Sequence, residues 1–210
     1  MSIQHQDILD ANRHEPKGAS TATANQVLKS NGDGTTSFGS YAYSDLSGKP
    51  TSTGYSKVIL GSSTSSTQAP SAVDSAIKIE FGTAQSTTDV DLAVDGTITF
   101  NTAGYYAVDA VMKVGRVSSS GDAIVLVRPM YNGSQFRPSA HFKMSNNDYT
   151  QTHNEFLMFE ATAGDTLYFE LVRDSSGVNN GGLFSLSPST SGWQTSPTAQ
   201  VVIHKFGGLV

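Results

Sequence analysis

Two patterns of hydrophobic and polar positions divide this chain near residue 72. Beyond it, apolar residues recur at every second position, the period of a half-buried strand. Ile77, Ile79 and Phe81 alternate with Lys78 and Glu80, and Val90, Leu92 and Val94 alternate with Asp89, Asp91 and Asp95. Thr97-Ile98-Thr99-Phe100 alternates again. Longer β-prone runs follow at 104–117, 123–131, 134–144, 149–160, 166–173 and 199–206, bounded by Gly, Asn, Asp or Ser. Asn132-Gly133 between two of these runs is a strong hairpin signal. Helix signals are absent. Many short strands with turn chemistry between them predict an all-β antiparallel sandwich or jelly roll.

Before residue 58 the apolar residues are too sparse for an independent core. Residues 26–38, QVLKSNGDGTTSF, hold a turn signal at Asn31-Gly32-Asp33-Gly34 and predict a small hairpin in need of a partner surface. Residues 61–71, GSSTSSTQAPS, carry no charge and no large apolar side chain. They read as a flexible linker or a long solvated loop. The expected organisation is an extended arm over 1–57, a Ser/Thr-rich linker over 58–71 and a jelly-roll head over 72–210. Fully extended, the first ~30 residues would reach ~100 Å.

Composition narrows the function. Ser and Thr number 50 of 210 residues, while charged residues are only 15%, so hydroxyls and amides cover much of the surface. Lys plus Arg number 13 and Asp plus Glu 18, giving a net charge of −5. The whole excess falls after residue 57. No basic run is present to neutralise phosphates, so a nucleic-acid partner is not expected. No apolar stretch approaches the ~18 residues of a membrane span, and no secretory signal is expected at the N-terminus. With no cysteine, disulfides, thiolate metal sites and cysteine nucleophiles are excluded, in keeping with folding in a reducing cytoplasm.

Three phrases carry a family likeness. Residues 98–108, ITFNTAGYYAV, resemble the strand–turn–strand signature of the tumour necrosis factor and complement globular-head superfamily. Residues 155–169, EFLMFEATAGDTLYF, resemble its second signature, and 199–206, AQVVIHKF, its closing strand. The likeness spans roughly 75–207. It implies a jelly roll assembled around a threefold axis. Gly104 and Gly164 stand at its turns, where other residues resist the conformation. Tyr105, Tyr106, Phe142, Tyr149, Phe156, Phe159, Tyr168 and Phe169 are many aromatics for one sandwich. Tyr105-Tyr106 and Tyr168-Phe169 place rings on both parities of a strand, so both faces should meet something apolar. These four are the candidate trimer-interface residues.

The N-terminal part resembles segments near the start of tailed-bacteriophage virion proteins, in DANRHEPKGAS at 10–20 and QVLKSNGDGTTSFG at 26–39. Pro16 biases Glu15 toward extended geometry and Gly18 releases the chain, as suits a peptide lying across a partner surface. His14, Glu15, Pro16, Lys17 and Gly18 are therefore the candidate attachment residues. The expectation is a trimeric capsid decoration protein or head fibre on the virion surface, present in the host cytoplasm during assembly. Its arm would meet the major capsid protein or another virion protein, and a host surface glycan is a further candidate partner. The alternative is a receptor- or glycan-binding tip of a tail fibre.

Catalytic chemistry finds little purchase. The histidines His5, His14, His141, His153 and His204 show no zinc spacing. Asp89, Asp91 and Asp95 could supply oxygens to a cation, but alternation with apolar residues makes them the solvent face of a strand. Ser139, His141 and Asp148 are close in sequence, which alone makes no triad. Glu155 and Glu160 have opposite parity, against paired-carboxylate chemistry. No enzyme, no cofactor and no metal site is expected. Trp193, alone in PSTSGWQTSP, would plug the jelly-roll base or a subunit interface, or stack on a sugar.

Overall fold

The computed structural model describes residues 22–24, 26–40, 56–116, 121–145 and 150–206. The attachment peptide 14–18, Asp148 and Tyr149 lie outside them. The chain forms two units, Met1–Thr51 and Ser52–Val210.

In the first unit, β1 (Val27–Ser30) and β2 (Thr36–Gly39) pair antiparallel as the hairpin expected from the Asn-Gly-Asp-Gly phrase. Asp33 closes the turn, accepting from both the Thr35 amide and hydroxyl. Val27 and Leu28 are exposed, so the hairpin has no core of its own.

The second unit is an all-β jelly roll. One sheet is built on the order β12 (Thr150–Ala161), β8 (Gly104–Arg116), β15 (Ala199–Phe206) and β3 (Ser56–Thr64), with β14 (Gly181–Leu183) also on β8. The other runs β10 (Ser134–Gln135), β9 (Ala123–Tyr131), β13 (Thr166–Arg173), β7 (Ile98–Phe100), β6 (Val90–Leu92) and β5 (Gln85–Ser86). Here β11 (Ala140–Met144) also pairs with β9, and β4 (Ile77–Lys78) with β13. Every pairing between these strands is antiparallel. The chain crosses between sheets after β3, β7, β8, β11, β12 and β13, so it ends in the sheet where the unit began, with β15 paired to β3. That arrangement is an antiparallel jelly-roll sandwich, the fold class the alternation predicts.

The strict alternation fills the space between the sheets. Tyr106, Val108, Ala110, Met112 and Val114 of β8 and Leu167, Phe169 and Leu171 of β13 are buried together. So are Val201 and Ile203 of β15, while Val202 and His204 take the other face. Phe81 meets Phe169 edge-on at 5.8 Å, and Phe100 meets Tyr106 at 4.7 Å. Asn132 (φ 48°) and Gly133 (φ 76°) make the two-residue turn their type predicts. Gly164 (φ 94°) turns the chain into β13.

The linker reading of 58–71 is overturned. Residues 58–64 belong to β3, which pairs with β15 along its whole length, with one register shift between Ile203 and His204. Leu60 is the one large side chain of β3 buried in the core, with Ile59 packed against its edge, and backbone pairing holds the rest of this hydroxyl-rich strand. Gln68 then replaces a strand. Its backbone exchanges hydrogen bonds with Leu183, at 3.1 and 2.7 Å. Its side-chain amide donates to the Glu80 carbonyl at 2.9 Å and accepts from the Glu80 amide at 2.7 Å. A buried glutamine with every group satisfied joins three segments where composition suggested a free chain. Arg173 ties the same region, donating to the Pro70 and Gly181 carbonyls and to Asn179 Oδ1.

Candidate interaction surface

The outer sides of the two sheets differ in chemistry. On the β9–β13 sheet, polar and charged side chains cover the apolar ones. Arg128 Nη2 lies 2.6 Å from Glu170 Oε2, and Lys143 Nζ lies 2.9 Å from Asp122. Lys78 Nζ sits 2.7 Å from Asp95 and also 4.7 Å from the Tyr168 ring centre. The Lys78 hydrogen bond holds the Asp95 carboxyl below its usual range, and the Lys143 bond does the same for Asp122.

The outer side of the β12–β8–β15–β3 sheet is dressed differently. The parity that sends Tyr106 and Val108 inward sends Tyr105 and Asp109 outward. Register then sets Phe156 opposite Asp109, Met158 opposite Ala107, Val202 opposite Asp109 and Phe206 opposite Tyr105. Tyr105, Phe156, Met158 and Val58 are 45%, 51%, 54% and 55% exposed, while Val202, Phe206 and Val111 are half-buried beside them. Among the described residues no ion pair lies on this face. Asp109 Oδ1 is shut off from water and has no hydrogen-bond partner. A buried acceptor left unmade costs about 1–3 kcal/mol, so this oxygen marks a place where a donor is missing.

This placement corrects the candidate interface set. Tyr106 and Phe169 fill the core, and the Tyr106 hydroxyl donates to the Thr102 carbonyl at 2.7 Å. Neither can reach a neighbouring subunit. Tyr105 and Tyr168 do face outward, but on opposite sheets, and Lys78 covers Tyr168. Only Tyr105 belongs to the apolar face. Its companions Phe156, Met158 and Phe206 were legible as alternate positions of their runs; β3, which carries Val58, was not.

The other candidates are dispersed. Asp89 bonds Lys205 Nζ at 2.6 Å and Thr102, Asp91 bonds Ser86, and Asp95 bonds Lys78. Lys205 and then Thr102 lower the Asp89 carboxyl. Burial opposes the charge of Lys205, but the bond to Asp89 and the neighbouring Tyr106 leave its ammonium above the usual range. Among the described residues no three His, Asp or Glu side chains are gathered to hold a metal ion. Asp165, in the Gly-Asp turn, accepts from the Tyr131 hydroxyl at 2.6 Å, from Asn132 and from the Thr162 amide and hydroxyl. These bonds, Tyr131 first, hold its carboxyl well below the usual range. His153 lies 3.3 Å from Glu155 and edge-on to Phe142, a contact across the two sheets that spacing did not show. Trp193 is 75% exposed, so it does not plug the base of its own jelly roll.

No family model matches the chain, and no curated protein matches it. Among solved structures, the crystal structure of pika GITRL is similar over 59% of this chain and 83% of its own, at 13% identity and a TM-score of 0.31.

Proposed function

We propose that this chain is a non-enzymatic structural protein whose jelly-roll head assembles as a homotrimer, displayed on a tailed-bacteriophage particle through its N-terminal arm. The observation that carries the assembly reading is the outer face of the β12–β8–β15–β3 sheet. Tyr105, Phe156, Met158 and Val58 are exposed on this one face, and Phe156 and Val202 flank Asp109, whose Oδ1 is buried without a donor. Large apolar side chains left exposed together on one sheet face mark an interaction site. A neighbouring copy would cover it, and a closed ring leaves no copy of the face bare.

The virion part of the reading is supported by the likeness of residues 10–20 and 26–39 to phage virion proteins. A capsid decoration protein or head fibre suits a short N-terminal unit followed directly by one head. Three arms on one head raise the effective concentration of each for its site, so weak single anchors become firm attachment. Deleting residues 1–40 tests this division of labour. The shortened chain should remain a folded trimer and should no longer join particles. Normal occupancy on particles without those residues would contradict the arm as the anchor.

A further inference from the structure

Residues 184–198 join β14 to β15 and form a braced hairpin. The Ser196 amide donates to the Leu186 carbonyl at 2.9 Å, in an antiparallel bridge between those two residues. Ser196 Oγ accepts from the Leu186 amide at 3.2 Å and from Lys113 Nζ at 2.5 Å. Ser187 and Thr195 bond across the hairpin at 3.0 Å. At the tip, Gly192 takes φ 87° and the Trp193 amide turns back to the Thr190 carbonyl. A braced loop thus holds its largest apolar side chain in solvent. Trp193 is the chain's sole tryptophan and the most exposed of its large hydrophobic residues among those described.

The surroundings narrow what it can meet. From residue 175 to residue 204 the sequence has no Asp, Glu, Lys or Arg. The tip offers hydroxyls and one amide, at Ser189, Thr190, Ser191, Gln194 and Thr195. An anionic ligand or a nucleic acid would need cationic partners the loop lacks. A bilayer would need more apolar anchors or basic residues. A second copy would need a broader apolar patch, and Trp193 and Leu186 are its only exposed large hydrophobics among the described residues. An indole face edged by neutral donors and acceptors fits one chemistry well: a pyranose ring, with an apolar C–H face and neutral hydroxyls.

We propose that the 184–198 hairpin is a carbohydrate-binding tip for neutral glycans, with Trp193 as the stacking platform. The site is complete within one chain. It does not depend on trimer formation, which would add avidity and leave the affinity of each site unchanged.

The full-length chain, labelled, is applied to a printed array of neutral and anionic oligosaccharides. The neutral glycan retained most strongly is then titrated in solution against Trp193 emission. The expected result is retention on neutral glycans, with a saturable blue shift or quench at micromolar to ~millimolar sugar. Trp193→Ala should lower retention about tenfold or more, Trp193→Phe should keep part of it, and Gln194→Ala should lower it less. Because the indole is exposed, all three variants should keep the parent melting temperature. Three results would overturn the proposal. One is no neutral glycan retained, or equal retention by Trp193→Ala. Another is binding confined to anionic glycans. The last is an emission shift that follows protein concentration without sugar, which would mark a contact between copies.

Discussion

Tyr105-Tyr106 and Tyr168-Phe169 are the same pattern in sequence, and the molecule treats them in two ways. In each pair the second ring enters the shared core and the first turns outward. Outside β13, Tyr168 finds Lys78, and the neighbouring positions carry the Arg128–Glu170 pair. Outside β8, Tyr105 finds Phe206 across the ladder, with Phe156 and Met158 on the next strand. One outer face is covered within the chain, and the other leaves Tyr105, Phe156, Met158 and Val58 exposed. A sheet with one solvated face usually alternates apolar-in and polar-out. The face of β12, β8, β15 and β3 breaks that rule, and the break carries more information than the number of aromatics.

The largest expected effect separates the core from both faces. Phe169→Ala should destabilise the head by about 3–5 kcal/mol, as a large ring lost from a packed core does. Tyr168→Ala, one residue earlier, should cost within about 1 kcal/mol, because it gives up a surface cation–π contact. Urea melts at one protein concentration compare them, since the stability of an assembly depends on concentration. Similar losses for the two would mean that the parity assignment is wrong.

The next effect separates the two faces. Phe156→Asp places a charge in the apolar patch beside Asp109 and should lower association by about 2 kcal/mol or more per contact. Sedimentation should then find monomers at concentrations where the parent is assembled. Glu170→Gln, on the charged face, should leave the mass unchanged. Dissociation by Glu170→Gln would move the interface to the other sheet.

Acid sharpens the contrast. Asp95, Asp122 and Asp165 are held below their usual range, by Lys78, by Lys143 and by Tyr131 with its neighbours. A carboxyl lowered in the folded state adds stability that is fully present above the unfolded value, about pH 4. That stability is lost as the pH falls through the folded value. Melting temperature should therefore hold from neutral pH to about pH 4 and then fall. Asp165→Asn should flatten the fall. A head that melts alike at about pH 7 and pH 3 would show that these bonds contribute nothing.

The smallest effect concerns the cover over Tyr168. Lys78→Met removes the bond to Asp95 and the charge over the ring, while keeping an apolar stem. A loss of only a few tenths to about 1 kcal/mol is expected, as for other half-exposed pairs. A loss near that of Phe169→Ala would mean that Lys78 organises the sheet rather than dressing it.

Much of the fold was legible because alternation is a local signal. Phe81, Val90, Leu92, Ile98 and Phe100 stand at alternate positions and all are buried. What escaped the sequence is nonlocal. Strand β3 buries only Leu60 fully, with Ile59 packed beside it, and its pairing with β15 spans some 140 positions of chain. Gln68 holds its place through side-chain hydrogen bonds, which leave no periodic trace. The interface candidates were half legible for a related reason. Parity showed that Tyr105 faces away from Tyr106, but not which sheet's outer face each ring reached. That depends on which strands lie alongside, and on whether a lysine ninety positions earlier folds over the ring, as Lys78 does over Tyr168.

The central claim is that the bare face of the β12–β8–β15–β3 sheet is covered by further copies of the chain. The mass of the full-length protein in solution tests it most directly. A fragment starting at residue 72 would lack β3, so the whole chain is the right sample. One chain has a mass of 22.2 kDa. Light scattering coupled to size exclusion should give three times that value for the parent and the single value for Phe156→Asp. A parent that remains at 22.2 kDa at high concentration would contradict the account, and the face would then have to be covered from within the chain.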